Sequence, residues 1–400
     1  MALMPVDEAL AKVLAAGKPL RVERIKLEDS LGRVLAKDVV AKRDQPPFPS
    51  SAMDGYAIRH EDLAAAATRL ELIGISAAGH AFKGRLKKSQ AIRILTGAPL
   101  PAGADTIVIQ ENVSLDGKHI LVREAPALGR NIRPQGLDFK KGDVLIEAGT
   151  QVAARDIGLM AASNAAFISV KKRPRIVLFT TGDELVLPGQ RPRADQIVSS
   201  NSHALAAMAA AWGADVINLG IVADSMKATR AAIAKATGAD ILVTTGGASI
   251  GDHDYVQEAL KRSGVNIDFW KIALRPGKPF MFGTKGKLCV TGLPGNPVSA
   301  LVCARIFLKP LLLKMMGLDP ADKPVMARLG TPLPANDERQ DYMRATLKSE
   351  PDGTRIVDVF TKQDSSMQRT LRNADCLIVR PPHAPAAEKN SLVPVLLLDF

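Results

Sequence analysis

Three stretches of this 400-residue chain carry the residue types that phosphate and metal chemistry need. The first reads Asp240-Ile-Leu-Val-Thr-Thr-Gly-Gly-Ala-Ser-Ile-Gly-Asp-His-Asp-Tyr255. The second is Arg275-Pro-Gly-Lys-Pro-Phe280 and the third Thr291-Gly-Leu-Pro-Gly-Asn-Pro297. At Gly246 and Gly247 bare backbone can approach a ligand closely. Asp252 and Asp254 follow at once, and carboxylates repel a bare phosphate, so the pairing implies a cation. Mg²⁺ bridging the acids to a phosphate, with Arg275 and Lys278 as fixed positive charge, satisfies that requirement.

Elements of the right kind flank these residues. Ile241 to Val243 is a short apolar run suited to a buried parallel strand, and a helical pattern from Asp254 puts Val256, Ala259 and Leu260 on one face. Strand, glycine turn and helix start aim backbone N–H groups at an anion. Further strands are expected at Arg175–Phe179, Asp215–Leu219, Asp268–Trp270 and Leu288–Val290. Helices are expected over Ser202–Trp212, Ser225–Ala236 and Val298–Met316. This alternation predicts a doubly wound, mostly parallel sheet, whose ligands bind beyond the carboxyl ends of the strands. The residues just past those ends are Thr180-Thr-Gly-Asp-Glu184, Asp224, Thr244 to Asp254, Lys271 to Lys278, and Thr291 to Asn296. A lone Asp after a strand is usually a helix cap; five such loops are not easily explained by capping.

Outside this region the chain reads as scaffold with three stiff loops. A helical face carries Val6, Leu10, Val13 and Leu14, Arg21 to Leu27 reads as a strand, and Asp29 as the N-cap of a short helix with Leu31, Val34 and Leu35. Three prolines, Pro46, Pro47 and Pro49, stiffen Arg43 to Tyr56, which ends in an Asp54-Gly55 turn. From Tyr56 to Glu147 short strands separated by glycine turns predict a small all-β unit. Inside it lie two more such loops, Thr96-Gly-Ala-Pro-Leu-Pro101 and Asn131-Ile-Arg-Pro-Gln-Gly-Leu-Asp138. A helix is expected over Ala153–Ala166 and a boundary at Lys171 to Pro174. After Pro320, short proline-punctuated strands predict a small β-barrel or sandwich.

Composition narrows the function classes. Hydrophobic content of 46% with 24% charge fits a soluble globular protein of several domains. Only 4% aromatic residues argue against a stacking platform for single-stranded nucleic acid, while the net charge of +12, compatible with an acidic partner, is spread along the chain with one knot at Lys171-Lys-Arg-Pro-Arg175 that reads as a solvated linker face. Cys289, Cys303 and Cys376 are far apart with no metal-ligand spacing, so buried reduced thiols in a cytoplasmic protein are expected. The first residues lack the pattern of a secretory signal, and the most apolar helix is interrupted by Arg305 and too short for a bilayer. There is no GxxxxGK[ST], GxGxxG or HExxH.

Taken together these motifs resemble one family, the molybdopterin molybdenumtransferases, the MoeA-type proteins that include the C-terminal domain of gephyrin. The resemblance rests on Pro46-Pro-Phe-Pro-Ser-Ser-Ala-Met-Asp-Gly-Tyr56, Leu95-Thr-Gly-Ala-Pro-Leu-Pro101, Thr180-Thr-Gly-Asp-Glu-Leu185, Thr245-Gly-Gly-Ala-Ser-Ile-Gly-Asp-His-Asp-Tyr255, Arg275-Pro-Gly-Lys-Pro279 and Gly292-Leu-Pro-Gly-Asn-Pro-Val-Ser-Ala300. It implies an α/β-plus-β multidomain fold: a hinge of residues 1–40 and 148–172, an inserted β domain of 41–147, a molybdopterin-binding α/β domain of 173–319 and a C-terminal β-barrel of 320–400. It also implies a homodimer with sites between subunits and contact with other cofactor-biosynthesis proteins, without nucleic acid or membrane. The implied reaction inserts molybdenum from molybdate into adenylylated molybdopterin and releases AMP, assisted by Mg²⁺ or a similar divalent ion.

The resemblance assigns roles residue by residue. Asp224 and Asp254 would hold the metal, and Glu184 would orient substrate or water. Gly246, Gly247 and Ser249 would cradle phosphate, and Lys271, Arg275 and Lys278 would neutralise phosphate and molybdate. Asp54 and Thr96 would reach in from the β unit, while Asp138, Pro279, Ser299, Arg344 and Ser365 would contact substrate or anion. Two departures stand out: Gln363-Asp-Ser-Ser-Met367 replaces a Gly/Ser-rich run, and Arg275 stands where relatives often carry lysine. Two other functions suit the same fold, a non-catalytic binding scaffold and a different nucleotide or pterin transferase.

Overall fold

The computed structural model describes residues 3–63, 68–246 and 255–400. Gly247, Ser249, Asp252, His253 and Asp254 lie outside the described residues. The chain folds as two compact units, one of residues 1–23 with 171–400 and the other of residues 24–170. Helix α1 (Val6–Ala16) belongs to the first and buries Val6, Ala9 and Val13.

In the unit of residues 24–170, six strands form one mixed sheet: β1 (Gly55–Ile58), β2 (Thr68–Ser76), β3 (Gln90–Ile94), β4 (Thr106–Ile109), β5 (Val113–Asp116) and β6 (His119–Val122). Their order is β4-β1-β3-β2-β6-β5, with only β2 and β3 parallel. Period-two alternation supplies both faces: Tyr56, Ile58, Leu70 and Val108 pack on one side, Ala57, Ile94 and Ile107 on the other. Helix α2 (Ala154–Ala162) is shorter than expected, and the chain turns after it into a strand at Phe167–Lys171. The helix expected after Asp29 does not form. Leu27–Asp29 is a single 3₁₀ turn, after which Val34 and Leu35 bridge in extended form to Gln151 and Val170, leaving Leu31 60% exposed. Tertiary pairing overrides a weak local helical preference here.

The larger unit holds the predicted α/β sheet. Its elements are β7 (Arg175–Thr181), α3 (Asn201–Ala211), β8 (Asp215–Val222), α4 (Met226–Ala234), β9 (Ile241–Thr245), α5 (Tyr255–Arg262), β10 (Asn266–Phe269), β11 (Met281–Lys285), β12 (Leu288–Leu293) and α6 (Pro297–Cys303). The order is β8-β7-β9-β12-β11-β10. β8, β7, β9 and β12 are mutually parallel; β11 is antiparallel to both its neighbours, so β10 again points the common way. The carboxyl ends of five strands therefore share one edge. Val177, Phe179, Leu242 and Val290 of the sheet pack against Ile233, Val256, Ala259 and Leu260 of α4 and α5. The expected Val298–Met316 helix is realised as α6 and α7 (Lys309–Met316) joined by a π-helical stretch, Ala304–Leu308, and closed by Gly317 at φ 82°. Arg305 within it is 4% exposed and is neutralised by Asp322 at 2.8 Å and Asp399 at 3.1 Å.

The C-terminal region is a barrel, not a sandwich. β13 (Val325–Leu329), β14 (Gln340–Ser349), β15 (Arg355–Val359), β16 (Cys376–Arg380) and β17 (Leu392–Leu397) close in the order β14-β15-β13-β17-β16 and back to β14. Leu329, Ala345, Val357, Ile378 and Val395 fill it.

All three cysteines are free and buried, and burial pushes the thiol of Cys289 up to about 11 and that of Cys376 up to about 12, with Cys303 raised further. Native protein at pH 8 is therefore expected to resist a thiol reagent, and all three thiols to react once denaturant is added. Rapid labelling of the native protein, counted by mass spectrometry, would contradict this packing.

Candidate active site

Where β7, β9 and β12 end, side chains take over from the backbone ladder. Thr180 Oγ1 donates to the carbonyl of Thr245 at 3.1 Å, and Thr245 Oγ1 donates to that of Pro294 at 2.9 Å. The Asn201 amide, at the start of α3, donates to Thr245 Oγ1 at 3.2 Å and to the Gly295 carbonyl at 2.7 Å. Gly246 follows at φ 84°, and a Cβ there would collide with the Thr181 carbonyl oxygen, so only glycine fits.

This seam floors a cleft of about 800 Å³. Glu184, Asp224, Gly246, Pro279 and Ser299 all line it, so five of the residues singled out in the sequence share one hollow. Asp224 is pushed above the ordinary carboxylate range, first by burial and then by the neighbouring charge of Asp183, with Glu184 adding to the rise. The Asp183 backbone and the Thr181 hydroxyl pull the other way. The Thr181 hydroxyl lies close enough to act on Asp224 but makes no hydrogen bond of good geometry. The opposite wall comes from the barrel region: Ser366 and Gln368 line the cleft, Gln368 donates to Ser200 Oγ at 2.8 Å, and Asn296 donates to Ser365 Oγ at 2.9 Å.

The basic residues are arranged differently from the expectation. Arg275 is not among the cleft residues, and neither are Lys271, Lys278, Arg344 and Ser365. The Arg275 guanidinium is engaged by Asp341 at 2.6 Å, Asp337 at 2.9 Å and Asn336 at 2.9 Å, which ties the α/β region to the barrel. Lys271 rests its ammonium 4.1 Å above the Trp270 ring. Lys278 is exposed beside Pro279. Arg344 is 1% exposed and held by Gln363 and the Met367 carbonyl; burial pushes its guanidinium below the ordinary value, and its Nη2 has no hydrogen-bond partner.

Within the unit of residues 24–170 the three stiff loops interlock. Ser51 N–H donates to Ala98 O, Gly97 N–H to Ser51 O, Ala52 N–H to Asn131 O, and the N–H of Asp138 to Gln45 O. Asp54 accepts both the N–H and the hydroxyl of Thr96, each at 2.7 Å, and these bonds hold its carboxyl below the ordinary range. Asp54 and Thr96 thus form a pair, with Asp138 exposed on the third loop.

Three family models match in sequence order: the MoeA N-terminal region (domain I and II) over residues 4–163, a probable molybdopterin binding domain over 177–314, and the MoeA C-terminal region (domain IV) over 326–398. A molybdopterin molybdenumtransferase of Haemophilus influenzae is 37% identical over 383 residues, covering 94% of each chain. The chain belongs to the molybdopterin molybdenumtransferase family. A Bacillus subtilis member is 31% identical, covering 99% of this chain and 94% of its own. A solved molybdopterin biosynthesis MoeA protein from Pyrococcus horikosii superposes with a TM-score of 0.86 at 28% identity over 100% of both chains. For this family member, Ser199, Ser200 and Asn201 are cleft residues that sequence reasoning missed. The available signal was a hydroxyl–hydroxyl–amide run immediately before an alanine-rich helix.

Two outcomes are expected. Arg275→Ala leaves Asp341, itself 8% exposed, without its cation, and should lower stability by about 1–3 kcal/mol in denaturant melts; an unchanged midpoint would show the network to be idle. Asp54 with a lowered pKa contributes to the loop pairing above the unfolded carboxylate value of about 3.9 and loses it as pH falls through the folded value. The Thr96 amide resonance should therefore titrate below about pH 3.9, and Asp54→Asn should abolish that step.

Proposed function

We propose that this chain inserts molybdenum from molybdate into adenylylated molybdopterin and releases AMP, with a divalent cation assisting. The observation that carries the reading is the single cleft lined by Glu184, Asp224, Gly246 and Ser299 beyond the strand ends of a chain in this family. A hard divalent cation fits the donor set, because burial and the charges of Asp183 and Glu184 leave Asp224 crowded in a way a cation relieves. Among the described residues no three acid, histidine or cysteine side chains converge as a full ligand set. Mg²⁺ commonly uses one or two carboxylates plus substrate phosphate, so Asp224 with Asp254 would suffice. Such an ion, when bound, supplies charge neutralisation at the phosphoanhydride.

The chain's own residues do the rest. Gly246, free of a side chain, lets the phosphates approach the backbone closely. Glu184, exposed at the cleft, orients a water and accepts its proton as the water oxygen bonds to the adenylate phosphorus and the phosphoanhydride bond to the molybdopterin phosphate breaks, freeing AMP. Ser299, with its backbone at the start of α6, donates to an anion, and Lys278 and Lys271 screen the incoming oxyanion. Homodimer assembly goes with this reading and is read by sedimentation.

Purified protein given adenylylated molybdopterin, Mg²⁺ and molybdate should release AMP in a manner dependent on both the metal ion and the oxyanion. No AMP, or AMP release indifferent to molybdate, would overturn the reading. Asp224→Asn should cut turnover by about two orders of magnitude or more. It should also leave the melting temperature at pH 7 equal to or above wild type, because a desolvated, repelled carboxylate is removed.

A further inference from the structure

Three consecutive polar residues line the cleft, and two of them are committed. Ser200 Oγ accepts from Gln368, and the Asn201 amide binds Thr245 and Gly295. Ser199 differs. Its backbone N–H is fixed on the Val186 carbonyl at 2.8 Å and the residue is 3% exposed, yet its Oγ has no hydrogen-bond partner. A buried hydroxyl without a partner is destabilising, and rotation about one χ1 bond would redirect it with no hydrogen bond to lose.

Its surroundings are apolar on one side. Leu185–Val186 and Ile197–Val198 form a short parallel ladder that runs straight into Ser199. Leu185, Ile197 and Val198 all line the cleft, and Ile197 and Val198 remain 59% and 45% exposed. Leu185 and Ile197, partners across the ladder, share one face, and beside an uncommitted hydroxyl they make an apolar patch with one polar group at its border. A planar nitrogen heterocycle matches that surface, its face on the aliphatic side chains and its edge on the hydroxyl.

We propose that Ser199, with Leu185 and Ile197, is the subsite for a heterocyclic ring of the substrate, beside Glu184, whose carbonyl accepts the Ile197 N–H at 2.8 Å. It rests on the reading of this cleft as the transferase site, whose substrate carries two such rings, a pterin and an adenine. The hydrogen-bonding ring edge is the shared chemistry, and separate probes distinguish its source.

The test titrates the full chain with AMP in one arm and 6-hydroxymethylpterin in the other, by calorimetry. Ser199→Ala should weaken binding in at least one arm by about fivefold or more. Ser199→Thr, which keeps the hydroxyl, should restore it, and the weakened arm names the ring. The ligand-free melting temperature of Ser199→Ala should equal or exceed that of wild type, which a structural hydroxyl would not allow. Unchanged affinity in both arms, failure of wild type to bind either probe, or a lower melting temperature with affinity intact would overturn the subsite. Ring binding that depends on Ser199 in a protein that releases no AMP would leave the subsite standing while the transferase reading fell.

Discussion

The whole cleft hangs on the hydrogen bonds that continue the sheet after its strands have stopped. A parallel ladder leaves carbonyl and N–H groups unpaired at its end, and buried groups of that kind must find partners. Thr180, Thr245 and Asn201 supply them, strapping the ends of β7, β9 and β12 together and to the start of α3. With the edge fixed, Gly246 can pass close above Thr181, and Asp224 and Glu184 face a common space. Were that seam apolar, the loops would have no defined register and the acids no shared hollow.

Charge is distributed around this edge in two separate sets. On the acidic side, burial and the charges of Asp183 and Glu184 raise the proton affinity of Asp224. Arg275, in the loop that follows, lies outside the cleft lining and is engaged by Asp337 and Asp341. Lys271 and Lys278 lie outside the lining of the cleft and carry compact ammonium charges, where Arg275 is a planar fork locked by geometry. Such an edge attracts a cation first and an anion in its company.

Much of this arrangement was legible in the chain. Apolar triplets such as Ile241 to Val243, each followed by glycine, acid or hydroxyl, pointed to parallel strands and to the edge where chemistry would gather. What was not legible depended on partners distant in sequence. Nothing local reveals that Arg275 meets residues more than sixty positions on. β11 was hidden because Phe280, Met281 and Phe282 follow a proline–glycine loop and read as its continuation, and a strand of reversed direction breaks the βα rhythm. The helix expected after Asp29 lost to pairing with Gln151 and Val170, which local propensity cannot foresee. Ser199 to Asn201 escaped notice because hydroxyls and amides before a helix look like ordinary capping.

The double attachment of the barrel has a consequence for protein engineering. Its interior, built from Leu329, Ala345, Val357, Ile378 and Val395, is self-contained, which makes it look like a cassette exchangeable at Gly317. Yet residues 336–341 grip Arg275 while 365–368 reach Asn296 and Ser200, so two short patches on its outer surface are shared property with the neighbouring sheet. A chimaera that imported a foreign barrel without grafting both patches would keep two intact interiors and lose one wall of the cleft.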